Sequence, residues 1–263
     1  RSLELMAKLA DALDRDAEAS RFAALYDRTL AAFQLQLFEE QAGLYRDGID
    51  TGHSSLHANL FPLAFGLVPE AHREDVAGWL ARRGMRCSVY AAQYLLEALF
   101  ENGAADKALE LMAASGDRSW RHMVESGATI TWEAWDEKYK PNLDWNHAWG
   151  AAPANLLPRY VLGVQPIAPG WSTAVITPNP GNLTFAGGKV PTKHGPIKVN
   201  WTQGETFDIH VQLPARVSAT LDLPAPPGSR GVQVDGTPVE AKRSGNRWLV
   251  QDNVAGNRSI VVY

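Results

Sequence analysis

The hydrophobic period of this chain changes once, after Pro166. That change restricts it to folds with a helical part followed by a sheet part. Upstream, Leu3, Met6, Leu9 and Leu13, then Phe22, Leu25, Leu30, Phe33 and Leu37, recur mostly at three- and four-residue steps, the spacing of an amphipathic helix. Ser20 reads as an N-cap for the second stretch. Further helices are predicted at 54–65, 71–82, 89–101 and 104–114, separated by the breakers Gly48, Gly66, Pro69, Gly84, Gly103 and Gly116. A last helical stretch, 146–162, contains Pro158, which should kink it or mark its first turn. The apolar stripes themselves read as core.

Downstream the period becomes two. Short alternating stretches are predicted as strands at 174–177, 198–202, 207–213, 218–223, 231–234, 248–251 and 259–262. Pro180-Gly181, Asp235-Gly236 and Ser244-Gly245 supply turns between them. Even spacing of short strands favours an antiparallel β-sandwich. The expected architecture is all-α then all-β, with residues 1–165 helical and 166–263 a C-terminal sandwich. Successive helix pairs suggest an array or barrel of helical hairpins.

Composition removes several classes. Charge sums to −4 over 263 residues, so a globally basic nucleic-acid binder is not expected. The apolar runs are too short to span a bilayer as a helix. The single cysteine, Cys87, excludes an intrachain disulfide and disfavours a cysteine zinc site. There is no phosphate-binding glycine loop, no nucleophile elbow and no His-Glu-x-x-His. His53 and His57 have metal-compatible spacing if they share a helix, but with no carboxylate at fixed spacing they read as a packed or surface pair. No metal or cofactor is expected. The first ten residues read as the middle of a helix and begin with Arg1, so the chain is expected to be a piece of something longer.

Tryptophan is the compositional excess, with nine Trp against eight Phe and seven Tyr. Five fall in one window: Trp120, Trp132, Trp135, Trp145 and Trp149. An indole buries apolar area while keeping a polar N–H, which suits the flat C–H face and hydroxyls of a sugar ring. Glu133 lies between Trp132 and Trp135, so desolvation by the indoles should raise its pKa and suit it to act as a base. Asn146 and His147 are candidates to orient a sugar hydroxyl or a catalytic acid. Asp136, Glu137 and Lys138 read as a solvated loop. Trp201 and Trp248, farther on, read as packing residues.

The stretches Gly127-Ala-Thr-Ile-Thr-Trp-Glu-Ala-Trp and Asp144-Trp-Asn-His-Ala-Trp-Gly-Ala resemble the α-L-rhamnosidases of glycoside hydrolase family 78. The resemblance runs through Leu162-Gly-Val-Gln-Pro-Ile-Ala-Pro-Gly-Trp and Ile176-Thr-Pro. It reaches upstream to Ala91-Ala-Gln-Tyr-Leu-Leu-Glu-Ala-Leu and His53-Ser-Ser-Leu-His-Ala-Asn. It implies an (α/α)6 barrel followed by a β-sandwich and an inverting mechanism. In that mechanism, an acid and a base stand roughly 6.5–9.5 Å apart to admit water. By the resemblance, the general base falls on Glu133 and a substrate-contacting histidine on His147. Trp132, Trp135 and Trp149 match motif positions, and Asn146 belongs to the same set.

The family's general acid has no match between Arg1 and Gly52; Asp47-Gly48-Ile49-Asp50 comes too late in the order. The chain is therefore expected to hold part of the barrel plus the sandwich, and to be inactive alone. Its exposed helix faces should self-associate or await the missing half. The expected partner is a rhamnoside, removed as a terminal residue from glycosides or polysaccharides, with neither nucleic acid nor membrane involved. Localisation stays open between bacterial cytoplasm and periplasm. Two other readings compete. One is a polysaccharide lyase using Tyr139, Lys140 or His147 as base, disfavoured by the acidic surroundings. The other is a non-catalytic carbohydrate-binding module.

Overall fold

Serine caps start two of the buried helices in the first half of the chain. Ser55 Oγ accepts the Ala58 N–H at 3.1 Å and Ser88 Oγ the Ala91 N–H at 3.2 Å, each satisfying an otherwise unpaired donor of the first turn. A computed structural model describes all residues, 1–263. The chain divides into two compact units, Arg1–Ala104 and Ala105–Tyr263. No helix is long and apolar enough to cross a membrane.

The first unit contains α1 (Ser2–Asp11), α2 (Asp16–Leu37), a minimal hairpin of β1 (Phe38–Glu39) and β2 (Leu44–Tyr45), then α3 (Leu56–Ala64), α4 (Arg73–Arg83) and α5 (Val89–Glu101). α5 has the expected ends. It begins at the Ser88 cap and stops before Gly103, which adopts φ +78. Its Leu95, Leu96 and Leu99 are completely buried, each worth roughly 1.5–3 kcal/mol relative to exposure. Ser20 is not a cap, because α2 already starts at Asp16, where Asp16 and Glu18 favour the positive helix end. α1 buries only Ala10 and α2 no residue, while Leu5, Met6, Leu9, Leu13 and Leu35 are exposed.

His53 and His57 do not share a helical face. His53 precedes α3, and its Nδ1 lies 2.6 Å from Asp47 Oδ2. Asp47 Oδ1 also accepts the Ser55 N–H at 2.8 Å, so the acidic loop turns inward to start α3. The histidine bond and this amide hold the Asp47 carboxyl down at about 2.

Asn59 ties β2 to α3. Its side chain is wholly buried, accepts the Tyr45 N–H at 2.8 Å and donates to the Tyr45 and Ser55 carbonyls, each at 3.1 Å. Tyr45, also fully buried, has its hydroxyl 2.9 Å from Gln34 Oε1, and burial raises its pKa to about 12.

The second unit starts with α6 (Ala105–Met112), α7 (Trp120–Glu125) and α8 (Ala152–Leu156). The predicted 146–162 helix is broken into pieces. A short 3-10 turn, Ala148–Gly150, precedes α8, and a π-turn, Leu157–Val161, comes after it. Pro158, which cannot donate an N–H, sits in this wide turn, closed by the Leu162 N–H to the Leu157 carbonyl at 3.0 Å.

Two six-stranded sheets complete the unit. Their strands are β3 (Val164–Pro166), β4 (Thr173–Ile176), β5 (Phe185–Val190), β6 (Ile197–Gln203), β7 (Phe207–Gln212), β8 (Ser218–Pro224), β9 (Val232–Val234), β10 (Thr237–Val239), β11 (Ala241–Ser244), β12 (Arg247–Val250), β13 (Val254–Ala255) and β14 (Asn257–Val262). One sheet has the order β10-β9-β14-β7-β6-β5; the other runs β11-β12-β8-β4-β3, with β13 also on β8. Each has a buried face: Val199, Trp201, Ile209, Val211, Ile260 and Val262 in the first, Ala174, Ile176, Ala219, Leu221, Leu223 and Val250 in the second. That one-sided burial is the expected sandwich pattern.

Asp235-Gly236 joins β9 to β10 as predicted, with positive φ at both residues (51 and 80) and Val234 opposite Thr237, a type I′ turn. One pair departs from the antiparallel expectation: β4 pairs with β8 in parallel, Thr173 opposite Ser218. Trp201 and Trp248 are packing residues, as read. Trp201 is buried and donates to the Val161 carbonyl at 2.9 Å, and Trp248 donates to Ser229 Oγ at 3.1 Å.

Asn59→Leu strands the Tyr45 N–H and carbonyl in the interior and should cost about 3 kcal/mol of stability. A urea titration of the 263-residue chain reads this as a lower midpoint, and an unchanged midpoint would contradict the role given to Asn59.

Candidate active site

Two extended stretches of the Trp-rich window run antiparallel and hydrogen-bond to each other. The His147 N–H donates to the Thr131 carbonyl at 2.8 Å, and the Glu133 N–H to the Asp144 carbonyl at 3.0 Å. Thr131 Oγ1 donates to the His147 carbonyl at 2.7 Å. The Trp-Glu and Asn-His motifs of the sequence are thus brought together. Alternation along an extended chain sends neighbouring side chains to opposite faces. Trp132 goes inward and is buried, while Thr131 and Glu133 on either side are partly exposed.

Each tryptophan has a definite place. Trp132 meets Trp145 edge-on at 4.8 Å, and Trp135 meets Trp120 edge-on at 4.9 Å. Trp120 and Trp135 are buried, and the Trp120 N–H donates to the Gly150 carbonyl at 2.6 Å. Trp145 and Trp149 are about half exposed, at 51% and 49%. Trp149 lies 4.5 Å from the His147 ring. Asn146 is exposed. The set read as sugar contacts therefore splits into a buried pair, Trp132 and Trp135, and an accessible group, Asn146, His147 and Trp149.

Glu133 is held at both oxygens. Oε1 is paired with the Lys140 ammonium, and Oε2 accepts the Asp144 N–H at 3.1 Å. His147 Nδ1 is enclosed and lies 3.3 Å from Asp144 Oδ2 without forming a hydrogen bond. The sequence led to a raised Glu133 pKa. The structure gives the reverse: the Lys140 bond first, then the Asp144 amide, hold the carboxyl below its usual value and outweigh desolvation. Alternation along the extended stretch directs Trp132 and Glu133 to opposite faces, so adjacency in sequence does not place that indole over the carboxylate.

Lys140 is the neighbour of Glu133 that sequence reasoning missed. It lies seven residues beyond Glu133 and registered only as a possible lyase base. It stands paired with Glu133. Asp136, read as solvated, instead accepts the Lys138 N–H at 3.0 Å and lies 2.7 Å from His122 Nε2; these two contacts, in that order, lower its pKa.

Ligand-type atoms of Glu133, Asp144 and His147 lie within 4.8 Å of one another. A cation there would compete with the Lys140 ammonium for the same carboxylate. The arrangement suits general-base chemistry: an oriented carboxylate with a lowered pKa beside an imidazole that itself packs on half-exposed Trp149.

A helical part, two sheets and such a carboxylate between them in sequence fit a glycoside hydrolase domain with an appended β domain. Residues 1–161 match the family described as the bacterial alpha-L-rhamnosidase 6 hairpin glycosidase domain, and residues 163–237 match the bacterial alpha-L-rhamnosidase C-terminal domain. The chain belongs to this alpha-L-rhamnosidase family, as the Trp-Glu and Asn-His motifs implied.

A protein of Alteromonas sp. (strain LOR) named alpha-L-rhamnosidase is 30% identical over 241 residues, covering 86% of this chain and 26% of the relative. An alpha-L-rhamnosidase structure from Dictyoglumus thermophilum has the same fold, with TM-score 0.86, 22% identity, and 99% of this chain and 30% of that one covered. The Streptomyces avermitilis alpha-L-rhamnosidase, solved with L-rhamnose, gives TM-score 0.78 and 25% identity over 100% of this chain and 26% of its own. The chain thus spans about a quarter of the length of the curated relatives it matches.

With a lowered pKa, Glu133 stays ionised below the normal carboxylate range. Its ion pair contributes to stability above the unfolded-state pKa and is lost as pH falls through the folded value. Carboxyl-carbon NMR titration should place Glu133 below a free glutamate, and a midpoint above it would contradict the ion-paired geometry.

Proposed function

We propose that this chain carries the general base of an inverting α-L-rhamnosidase, and that Glu133 is that base. The observation that supports the reading most is the two-point hold on the Glu133 carboxylate, beside His147, whose ring packs on half-exposed Trp149. An ionised carboxylate fixed in this way can take the proton of a water attacking the anomeric carbon. The leaving oxygen takes its proton from an acid on the opposite side of the sugar. The substrate class comes from the relatives: the Alteromonas protein is named alpha-L-rhamnosidase, and the Streptomyces structure was solved with L-rhamnose.

In this reading Trp149 stacks on the sugar, and His147 and Asn146 bond its hydroxyls. Trp132 and Trp135 form the wall behind the base. The general acid is supplied by the part of a full-length rhamnosidase outside these 263 residues, so the isolated chain should turn over little substrate.

In the full-length enzyme, Glu133→Gln should lower kcat for an aryl rhamnoside by about 10²–10⁴-fold, with the anomeric product inverted in the parent. Near-parental turnover, or a retained configuration, would count against the assignment.

Exposed Leu5, Met6, Leu9 and Leu13 on and just after α1 form an apolar surface of the kind that drives association. Sedimentation velocity on the isolated chain should show concentration-dependent self-association; a monomer throughout would remove that expectation.

A further inference from the structure

We propose that Lys140 is a positioning residue for Glu133, held in that role by an anchor at Asp117. The inference rests on the reading of Glu133 as the base and adds what aims it.

Two contacts orient the carboxylate from different sides. The Asp144 N–H fixes Oε2 at 3.1 Å, and the Lys140 ammonium fixes Oε1. The first is backbone, set by the pairing of the two extended stretches. The second is a long side chain. An exposed Lys–Glu pair is ordinarily loose, because two flexible side chains must be ordered for a small gain. Here the turn that carries Lys140 is fastened on both sides. Before it, the Lys138 ammonium pairs with Asp117, and the Tyr139 hydroxyl donates to the same Asp117 oxygen at 3.0 Å. The Arg118 guanidinium lies 4.3 Å from the centre of the Tyr139 ring. After it, the Leu143 N–H donates to the Lys140 carbonyl at 3.0 Å, and Leu143 is buried. The turn that carries Lys140 is thus tied, at Lys138 and Tyr139 and again at Leu143, through contacts that do not involve Glu133.

The groups facing Glu133 are Lys140, His147 and Asp144. Lys140 is the cation in direct contact, and its pairing and hydrogen bond are the leading cause of the low Glu133 pKa. Lys140 thus does two things. It keeps the base ionised as pH falls, and it stops the carboxylate rotating about its last bond. Both oxygens retain a second lone pair for an incoming water.

The test uses the full-length enzyme and an aryl rhamnoside, with kcat and kcat/KM followed across pH. Lys140→Met should lower kcat about tenfold, in the range expected for a misaimed catalytic group. It should also move the acidic limb of the kcat/KM profile upward, because the ionised base has lost its cation. Lys140→Arg should restore the limb toward the parental position. Asp117→Asn, remote from the base, should shift the limb in the same direction by less, and it keeps the test open if Lys140→Met fails to fold.

A fall in kcat with an unmoved acidic limb in both Lys140→Met and Asp117→Asn would mean a merely structural loop and would overturn the proposal. Glu133→Gln is run alongside. If it keeps turnover, the base assignment fails. If it is inactive while Lys140→Met behaves as the parent, the base stands and only the role of Lys140 falls.

Discussion

The short ladder between residues 131–133 and 144–147 is the constraint on which the site depends. Two backbone bonds and the Thr131 hydroxyl close it, although neither stretch is long enough to count as a strand. Pairing at this register dictates which side chains share a face. It puts Glu133 beside Asp144 and His147, and it places the Asp144 amide where the carboxylate can use it. A shift of one residue would send Glu133 to the indole side and Trp132 to solvent. The ten residues between the stretches are then free to form the turn that presents Lys140.

The segment after residue 147 holds the ladder in turn. The Trp120 N–H caps the Gly150 carbonyl, which ties α7 to the end of the second stretch. Beyond α8, the π-turn is built into the sheets: the Trp201 indole donates to the Val161 carbonyl, and the Asn179 N–H donates to that of Tyr160 at 2.8 Å. Gly163 adopts φ +77 at the crossover, where a Cβ would overlap the Thr177 carbonyl carbon and the Pro178 nitrogen. Only glycine lets the chain pass that close to the residues just beyond β4. The β domain is thus joined by backbone to the end of the segment that follows the site.

Much of this fold was legible in the sequence wherever one local signal decided it. The 89–101 periodicity and Gly103 delimit α5, and Asp235-Gly236 requires the turn it makes. β5 escaped because Gly187, Gly188 and Lys189 interrupt its alternation; it exists by pairing with β6 along six residues. The parallel β4–β8 pair escaped because its partners lie more than forty residues apart and no local pattern encodes their direction. In the site, the two motifs were legible as residue types. Their pairing, the inward turn of Trp132 and the Lys140 contact were not, since each depends on a register that only the folded chain sets. Reading hydrophobic flanks as desolvation went wrong for the same reason: on an extended chain, sequence neighbours point away from each other.

If Glu133 is the base, as proposed, the low pKa that replaces the expected high one changes what kind of base it would be. A carboxylate tuned upward is a stronger base but is ionised over a narrower pH range. Glu133, fixed by an ammonium and an amide, is a weaker base that is ionised whenever water arrives. In an inverting displacement the bond to the leaving group is largely broken before water is deprotonated, because the sugar passes through an oxocarbenium-like transition state. The proton affinity of the base then matters less than holding the water in line with the anomeric carbon, since alignment can supply several kcal/mol of the barrier reduction, up to about 7–11 in well-oriented reactions. On this argument a carboxylate held at two points is suited to its step by its aim, and the ion pair that weakens it as a base is what provides the aim.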